Sequence, residues 1–273
     1  MHRPWYVLLL MPLLTGCYFP LSELGDSSRF KEEFHESHPL KAGGRLYLEN
    51  MNGSVEIQGW DRETADISGT KSASTEGSLR ALRIDVVATD DSIRIRTVRP
   101  SGHIGGMGAR YVINVPRRTR LERINTSNGR IVVAGIEAPA RLETSNGSVT
   151  AEGVKGGLEV STSNGSIRVS LAGLADKQPV TLRTSNGSVQ LSVESGGVGG
   201  VGVWTSNGSI TAQLPPSLAA TVDASTSNGS ITNEFGDSFR GSSSKNHLRG
   251  DIAGGGALIR LSTSNGSIHL RKL

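Results

Sequence analysis

Residues 158–193 read LEVSTSNGSIRVSLAGLADKQPVTLRTSNGSVQLSV and contain one phrase twice. In each copy an apolar residue, Val160 or Leu182, stands four places before an Asn-Gly pair. Apolar residues then follow three and five places after the Asn, at Ile167 and Val169 and again at Val189 and Leu191. Period-two alternation on both sides marks strands with one buried face and one wet face. The Asn-Gly between them marks a tight turn, which favours positive φ at two successive residues.

The phrase recurs outward in both directions. Its corners are Asn52-Gly53, Asn128-Gly129, Asn146-Gly147, Asn164-Gly165, Asn186-Gly187, Asn207-Gly208, Asn228-Gly229 and Asn265-Gly266, the last seven preceded by Thr-Ser. From Asn128 onward the spacings are 18, 18, 22, 21, 21 and 37 residues. The final value reads as two units, one of which has lost its corner. A fixed period of this kind is the signature of a repeat architecture.

Two all-β architectures fit the local pattern. In a hairpin meander, Val160 would oppose Val169. In a single-stranded β-solenoid (β-helix) with coils of about 18–22 residues, each position stacks on its own equivalent. Near-identity of the units favours the solenoid, and so does a coil's ability to enclose its own apolar face. The expected domain spans 44–273, with a less regular part at 44–116 and regular repeats at 117–273. It should hold roughly 11 rungs about 4.8 Å apart, a rod near 50 Å long. The inward Thr of each phrase, and the Asn beside it, should form hydrogen-bonded ladders.

The amino terminus reads as an address. Residues 1–16, MHRPWYVLLLMPLLTG, place Arg3 before an apolar run too short to span a bilayer as a helix. Leu14-Thr15-Gly16-Cys17 resembles a lipoprotein lipobox, which implies a signal peptide of 1–16 and a diacylglycerol thioether on Cys17. Two or three acyl chains anchor firmly, since each buried methylene contributes roughly 0.8 kcal/mol. Tyr18 is not the Asp that resembles an inner-membrane retention signal, which points to the outer membrane of the bacterial envelope. Residues 18–43 hold mixed charge with Pro20 and Pro39 and read as a tether with a helical turn near 29–36.

Composition agrees with a thin aliphatic core. Aromatics make up only 4% of the chain, against 35 glycines. The formal charge is +4, and removing Arg3 with the leader leaves 28 − 25 = +3. So mild an excess points to no nucleic-acid partner. Arg117, Arg118, Arg120 and Arg123 read as a solvated face. Cys17 is the only cysteine, which rules out an internal disulfide.

Leu46-Tyr47-Leu48-Glu49-Asn50-Met51-Asn52-Gly53-Ser54-Val55, the strand ending Tyr111-Val112-Ile113-Asn114-Val115-Pro116, and Leu261-Ser262-Thr263-Ser264-Asn265-Gly266-Ser267-Ile268 carry a family resemblance. Over 41–273 the chain resembles the bacterial β-strand-repeat domains of unknown function labelled putative adhesins. That resemblance implies a right-handed β-helix and an envelope location, and it supplies no catalytic residues.

The search for chemistry yields little. His35 and His38 could share a metal at i, i+3, but a solvated tether explains them better. No His-Glu-x-x-His, Cys-His cluster or nucleophile elbow is present. Gly196-Gly197-Val198-Gly199-Gly200 and Gly254-Gly255-Gly256 lack the lysine of a phosphate loop and read as tight corners. No catalytic residue, metal or cofactor is expected. The expected partners are the membrane, through the lipid, and an envelope protein or glycan. Residues 98–110 and 234–250 break the repeat and should leave the coil as loops. The leading expectation is a non-catalytic envelope scaffold or adhesion-type module. A periplasm-facing stress-sensing lipoprotein ranks second, and a carbohydrate-active β-helix enzyme third.

Overall fold

The computed structural model describes residues 30–99, 106–172, 178–194 and 199–273. The described chain opens with β1 (Phe30–Pro39), β2 (Arg45–Asn52), β3 (Val55–Trp60) and β4 (Thr64–Ala73). A short helix, α1 (Glu76–Ala81), leads to β5 (Arg83–Thr89), β6 (Ser92–Val98) and β7 (Met107–Pro116). The repeats follow as strand pairs. These are β8 (Arg120–Asn128) with β9 (Ile131–Ala134), β10 (Ala140–Asn146) with β11 (Val149–Val154), and β12 (Leu158–Asn164) with β13 (Ile167–Leu171). Next come β14 (Val180–Asn186) with β15 (Val189–Val193), β16 (Val201–Asn207) with β17 (Ile210–Leu214), and β18 (Ala220–Asn228) with β19 (Ile231–Asn233). A 3-10 turn (Gly236–Ser238) then precedes β20 (Phe239–Ser243), β21 (His247–Ile252) and the last pair, β22 (Ala257–Asn265) with β23 (Ile268–Lys272).

The fold is all-β, in two large mixed sheets. The strand before each corner joins a 12-stranded sheet and the strand after it joins an 11-stranded sheet. Within each sheet, equivalent residues of successive repeats pair in parallel register. Val160, for example, lies between Leu142 and Leu182 rather than opposite Val169. The hairpin meander is therefore not adopted. Alternate residues of both sheets point inward and merge into one buried aliphatic cluster that includes Leu142, Val160, Leu182, Ile167 and Val189.

The parallel stacking of levels does not extend to the ends of the sheets. Antiparallel strands close both ends: β1 and β4 in one sheet, β5 in the other, and β20 and β21 at the far end. Residues 30–39, expected as tether with a helical turn, form β1 and pair with β4 along ten residues. That strand is held by its partner rather than by its own apolar pattern, since only Phe34 packs inward, edge-on to Tyr111 with ring centroids 5.6 Å apart. The charges of Lys31, Glu32, Glu33 and Glu36 blunt this free edge against further pairing. The helix α1 is capped by the Thr75 hydroxyl, which accepts from the Ser78 amide at 3.1 Å.

Strand order departs from chain order at both ends. The pair β22–β23 lies inside β18–β19, next to β16–β17. Likewise β2–β3 lies inside β6–β7, next to β8–β9. The chain therefore skips a level twice, once after β7 and once after β17. Each skip begins at a proline that ends or follows a strand and closes a turn, Thr119 N–H to Pro116 O at 2.9 Å and Leu218 N–H to Pro215 O at 3.0 Å. The 37-residue spacing before Asn265 is thus not a repeat with a lost corner. Those residues hold the antiparallel hairpin β20–β21 and then return to an inner level.

Candidate functional site

The repeated polar residues are consumed by the fold. Each corner Asn except Asn52 donates from Nδ2 to the Oδ1 of the Asn on an adjacent level, at 2.8 to 2.9 Å. The ladder runs Asn52, Asn128, Asn146, Asn164, Asn186, Asn207, Asn265, Asn228, and Asn52 itself donates to Met107 O at 2.8 Å. Just inside, Thr126, Thr144, Thr162, Thr184, Thr205, Thr263 and Thr226 each donate a hydroxyl to a glycine carbonyl of the neighbouring corner. At the first level Asn50 takes the place of that Thr. Its amide donates to Ala109 O at 2.8 Å, and its Oδ1 accepts from Thr97. Tyr111 completes this buried cluster at 2.6 Å from Thr97, and its burial pushes the phenol up to about 12.

The corner geometry differs from the expected turn. Among the described residues, Ala253 is the only non-glycine with positive φ, so no corner Asn is left-handed. Of the corner glycines only Gly53 at φ 121° and Gly266 at φ 156° have positive φ, whereas all eight are needed for space. A Cβ on Gly147 would stand 2.0 Å from Gly129 O, and one on Gly165 would stand 1.9 Å from Gly147 O. Gly129, Gly187, Gly208, Gly229, Gly266 and Gly53 meet a neighbouring carbonyl in the same way, at 2.0 to 2.2 Å.

Cys17 lies outside the described residues, as do 100–105 of the expected loop 98–110. The flanks of that loop are the ends of β6 and β7. The other expected loop, 234–250, is largely the hairpin β20–β21, which pairs antiparallel to β18 and closes the sheet. Phe235 and Leu248 within it are fully buried, so the segment caps the core instead of projecting from it. His35 and His38 do not share a ligand site. Residues three apart on a strand face opposite ways, and each has its own partner: Ser68 and Asp66 for His35, Glu36 for His38. Among the described residues no group of three His, Cys, Asp or Glu could hold a metal.

Charge is organised on the outer face of the 12-stranded sheet. There β6, β2, β8 and β10 lie side by side. Register aligns Arg94, Tyr47 and Arg123 in one row, and Arg96, Glu49, Asn125 and Glu143 in the next. A groove of about 460 Å³ opens over them, lined by Tyr47, Glu49, Arg94, Glu122, Arg123 and Arg141. The Arg94 guanidinium stacks 4.9 Å from the centre of the Tyr47 ring. Arg123 and Arg141 converge on Glu143 at 3.2 and 2.7 Å. Burial works to raise the Glu143 carboxyl, but the hydrogen bonds and charges of Arg141 and Arg123 outweigh it and hold the carboxyl below its ordinary value. Further along the same face, Arg183 stacks 4.6 Å from the Trp204 ring.

On and beside these four strands, outward Arg45, Arg83, Arg94, Arg96, Arg120, Arg123 and Arg141 stand with Glu49, Asp85, Glu122, Glu143 and Glu159, a balance of 7 − 5 = +2. The arginines expected to be merely solvated divide accordingly. Arg117 pairs with Asp61 at 2.7 Å, away from this groove, whereas Arg123 lines it. The alternation RLYLE and SIRIR was readable as outward Arg and Tyr, but β2 and β6 are some fifty residues apart and nothing local places them together.

Comparisons with solved structures give distant likenesses. Over 89% of this chain and all of the other, it is similar to a protein described as a putative cell adhesion protein from Clostridium sporogenes, with 16% identity and a TM-score of 0.39. It is similar over 89% of this chain and 97% of the other to a putative adhesin from Bacteroides fragilis, with 13% identity and a TM-score of 0.41. A putative lipid binding protein from Parabacteroides distasonis matches over 89% and 96%, with 12% identity and a TM-score of 0.32. At these identities and scores the likenesses bear on neither ligand nor activity. No family model and no curated protein matches the chain.

Proposed function

We propose that the chain is a lipid-anchored, non-catalytic envelope module of the adhesion type, which binds acidic glycan on the outer face of its 12-stranded sheet. The observation that carries this reading is the Arg94–Tyr47–Arg123 row in an open groove on a rigid sheet. Guanidinium groups match carboxylates in a two-pronged fashion, and an aromatic face packs against a sugar ring. The paired glutamates keep neighbouring arginines extended and ordered, which reduces the cost of ordering them on binding. The repeat itself serves as scaffold, since its Asn and Thr atoms are taken up in ladders.

In this reading the parallel levels are the coils of a right-handed β-solenoid. Stacking of like on like and alternation of each repeat between two sheets support it. Anchoring through Cys17 is supported by the leader and the Leu-Thr-Gly-Cys phrase. Residues 18–29 then separate the lipid from the first described strand, a reach of at most about 47 Å. No helix among the described residues is long and apolar enough to cross a membrane.

Affinity electrophoresis tests the binding. Migration of the Cys17→Ser protein should be retarded in a gel containing polygalacturonate and unaffected by neutral dextran. Retardation should be lost in Tyr47→Ala and in Arg123→Ala. Equal migration in both gels would overturn the proposal.

A further inference from the structure

Among the described residues, the pair β22–β23 is the only strand link between the level of β18–β19 and the earlier repeats. In the 12-stranded sheet β22 lies between β16 and β18, and in the other sheet β23 lies between β17 and β19. Among the described strands β19 pairs with β23 alone, while the other neighbour of β18 is the hairpin strand β21. Remove residues 257–273, and the segment 220–252 loses every strand pairing to the earlier repeats. What remains is a slot with parallel hydrogen-bonding edges on both sides and an apolar floor.

The segment that fills the slot is built to fit it. Ile259, Leu261, Ile268 and Leu270 are buried in the common core. Asn265 bridges Asn207 and Asn228 at 2.8 and 2.9 Å, and Gly208 N–H donates to Asn265 O at 2.9 Å. The lead into it is short and sharply bent. Ala253 has φ 48°, followed by Gly254 at 87° and Gly255 at 81°. Ala253 is the only described non-glycine in that left-handed region, which an L-residue adopts at a cost. It sits at the one point where the chain turns back from β21 into the slot.

We propose that this slot accepts residues 257–273 of a second copy of the chain, with the two copies exchanging the pair β22–β23. The exchange keeps every ladder and core contact, because the occupant is chemically identical. It differs from self-insertion only at 253–256, where an extended hinge replaces the left-handed Ala253. Short strained hinges are where such exchange concentrates. The interface is reciprocal, so the product is a closed two-fold dimer rather than an open chain.

Ser225 and Ser262 supply the test. They are direct partners on β18 and β22, with hydroxyl oxygens 3.5 Å apart. Two mature chains are made, both with Cys17→Ser, one carrying Ser225→Cys and the other Ser262→Cys. They are unfolded together, refolded at high concentration and oxidised. Exchange predicts a disulfide-linked heterodimer on a non-reducing gel, with none from either chain alone. Absence of that band, while the Ser225→Cys/Ser262→Cys double variant forms its disulfide within one chain, would overturn the proposal. Removing Gly254 and Gly255 provides a second readout, since self-insertion then becomes too short to close. The dimer fraction by light scattering should rise at least tenfold, and a folded monomer of the shortened chain would also overturn it.

Discussion

Asn265 donates its side-chain amide to Asn207 at 2.8 Å, across 58 residues of sequence, although Asn228 is the next corner along the chain. The last repeat thus returns to an inner level and is stacked on both sides. An inserted segment of this kind leaves no repeat with its core open at that end, because β20, β21 and Phe235 cover what the outer level exposes. The same arrangement at the other end, with β2–β3 inside β6–β7, gives the array two closures built from its own chain.

Glycine at the corners is required by close stacking. Gly165→Ala places a methyl 1.9 Å from Gly147 O and should cost about 3 kcal/mol or more. Gly77→Ala, on α1 with open space around it, should instead stabilise by up to about 1 kcal/mol. Urea unfolding of the two variants checks the pair, and equal effects would contradict the stacking explanation.

The two ladders differ in depth and should differ in weight. Asn186 is exposed, so Asn186→Ala should cost about 1 kcal/mol despite losing bonds on both sides. Thr184 is buried, and Thr184→Val removes the donor to Gly165 O, which should cost about 1–2 kcal/mol. Denaturant midpoints measured side by side give the order.

Tyr111 makes stability fall in alkali. Its folded value is raised above the ordinary 10.0 to about 12, so the neutral phenol is favoured in the fold. The contribution is complete below pH 10 and is lost as pH rises from there toward 12, at roughly 1.4 kcal/mol per pH unit. Tyr111→Phe should flatten stability over that interval, as read by urea midpoints at pH 9 to 11.5.

Glu143 acts at the other end of the scale. Its carboxyl is held below the ordinary value, so its contribution is complete above that ordinary value of 4.5 and is lost as pH falls through the depressed one. Wild type and Glu143→Gln should therefore differ in stability at pH 7 and converge as pH drops well below 4.5. A constant difference from pH 7 to pH 2.5 would contradict the paired-arginine account.

Lipidation at Cys17 predicts a change of compartment. Cys17→Ser should move the protein from the membrane pellet to the soluble fraction and abolish incorporation of labelled palmitate. Retention in the pellet would contradict the anchor.

Much of the fold is legible at Asn186 and its equivalents, since like-on-like stacking repeats one phrase and period two gives the buried face. The level of each repeat is not legible. Asn265 and Asn228 carry the same phrase, and only the turns begun by Pro116 and Pro215 signal a skipped level. Phe30–Pro39 lacks a strand pattern of its own because an edge strand needs only a partner. The Asn-Gly phrase makes the torsional need legible, which the structure meets at Gly53 and Gly266, but not the need for space that all eight glycines share, because inter-level distance is a property of the stack. The candidate site was the least legible part. Tyr47, Arg94 and Arg123 come from three separate segments whose outward faces carry no shared motif, and only the sheet order unites them.

The central claim is that function sits on the groove around Tyr47 and the corner residues serve the scaffold. Calorimetric titration with polygalacturonate, run on wild type, Arg94→Ala/Arg123→Ala and Asn186→Ala, separates the two roles. The account predicts at least tenfold weaker binding for the groove variant and unchanged affinity for the less stable corner variant. Loss of binding on Asn186→Ala with affinity intact in the groove variant would contradict it.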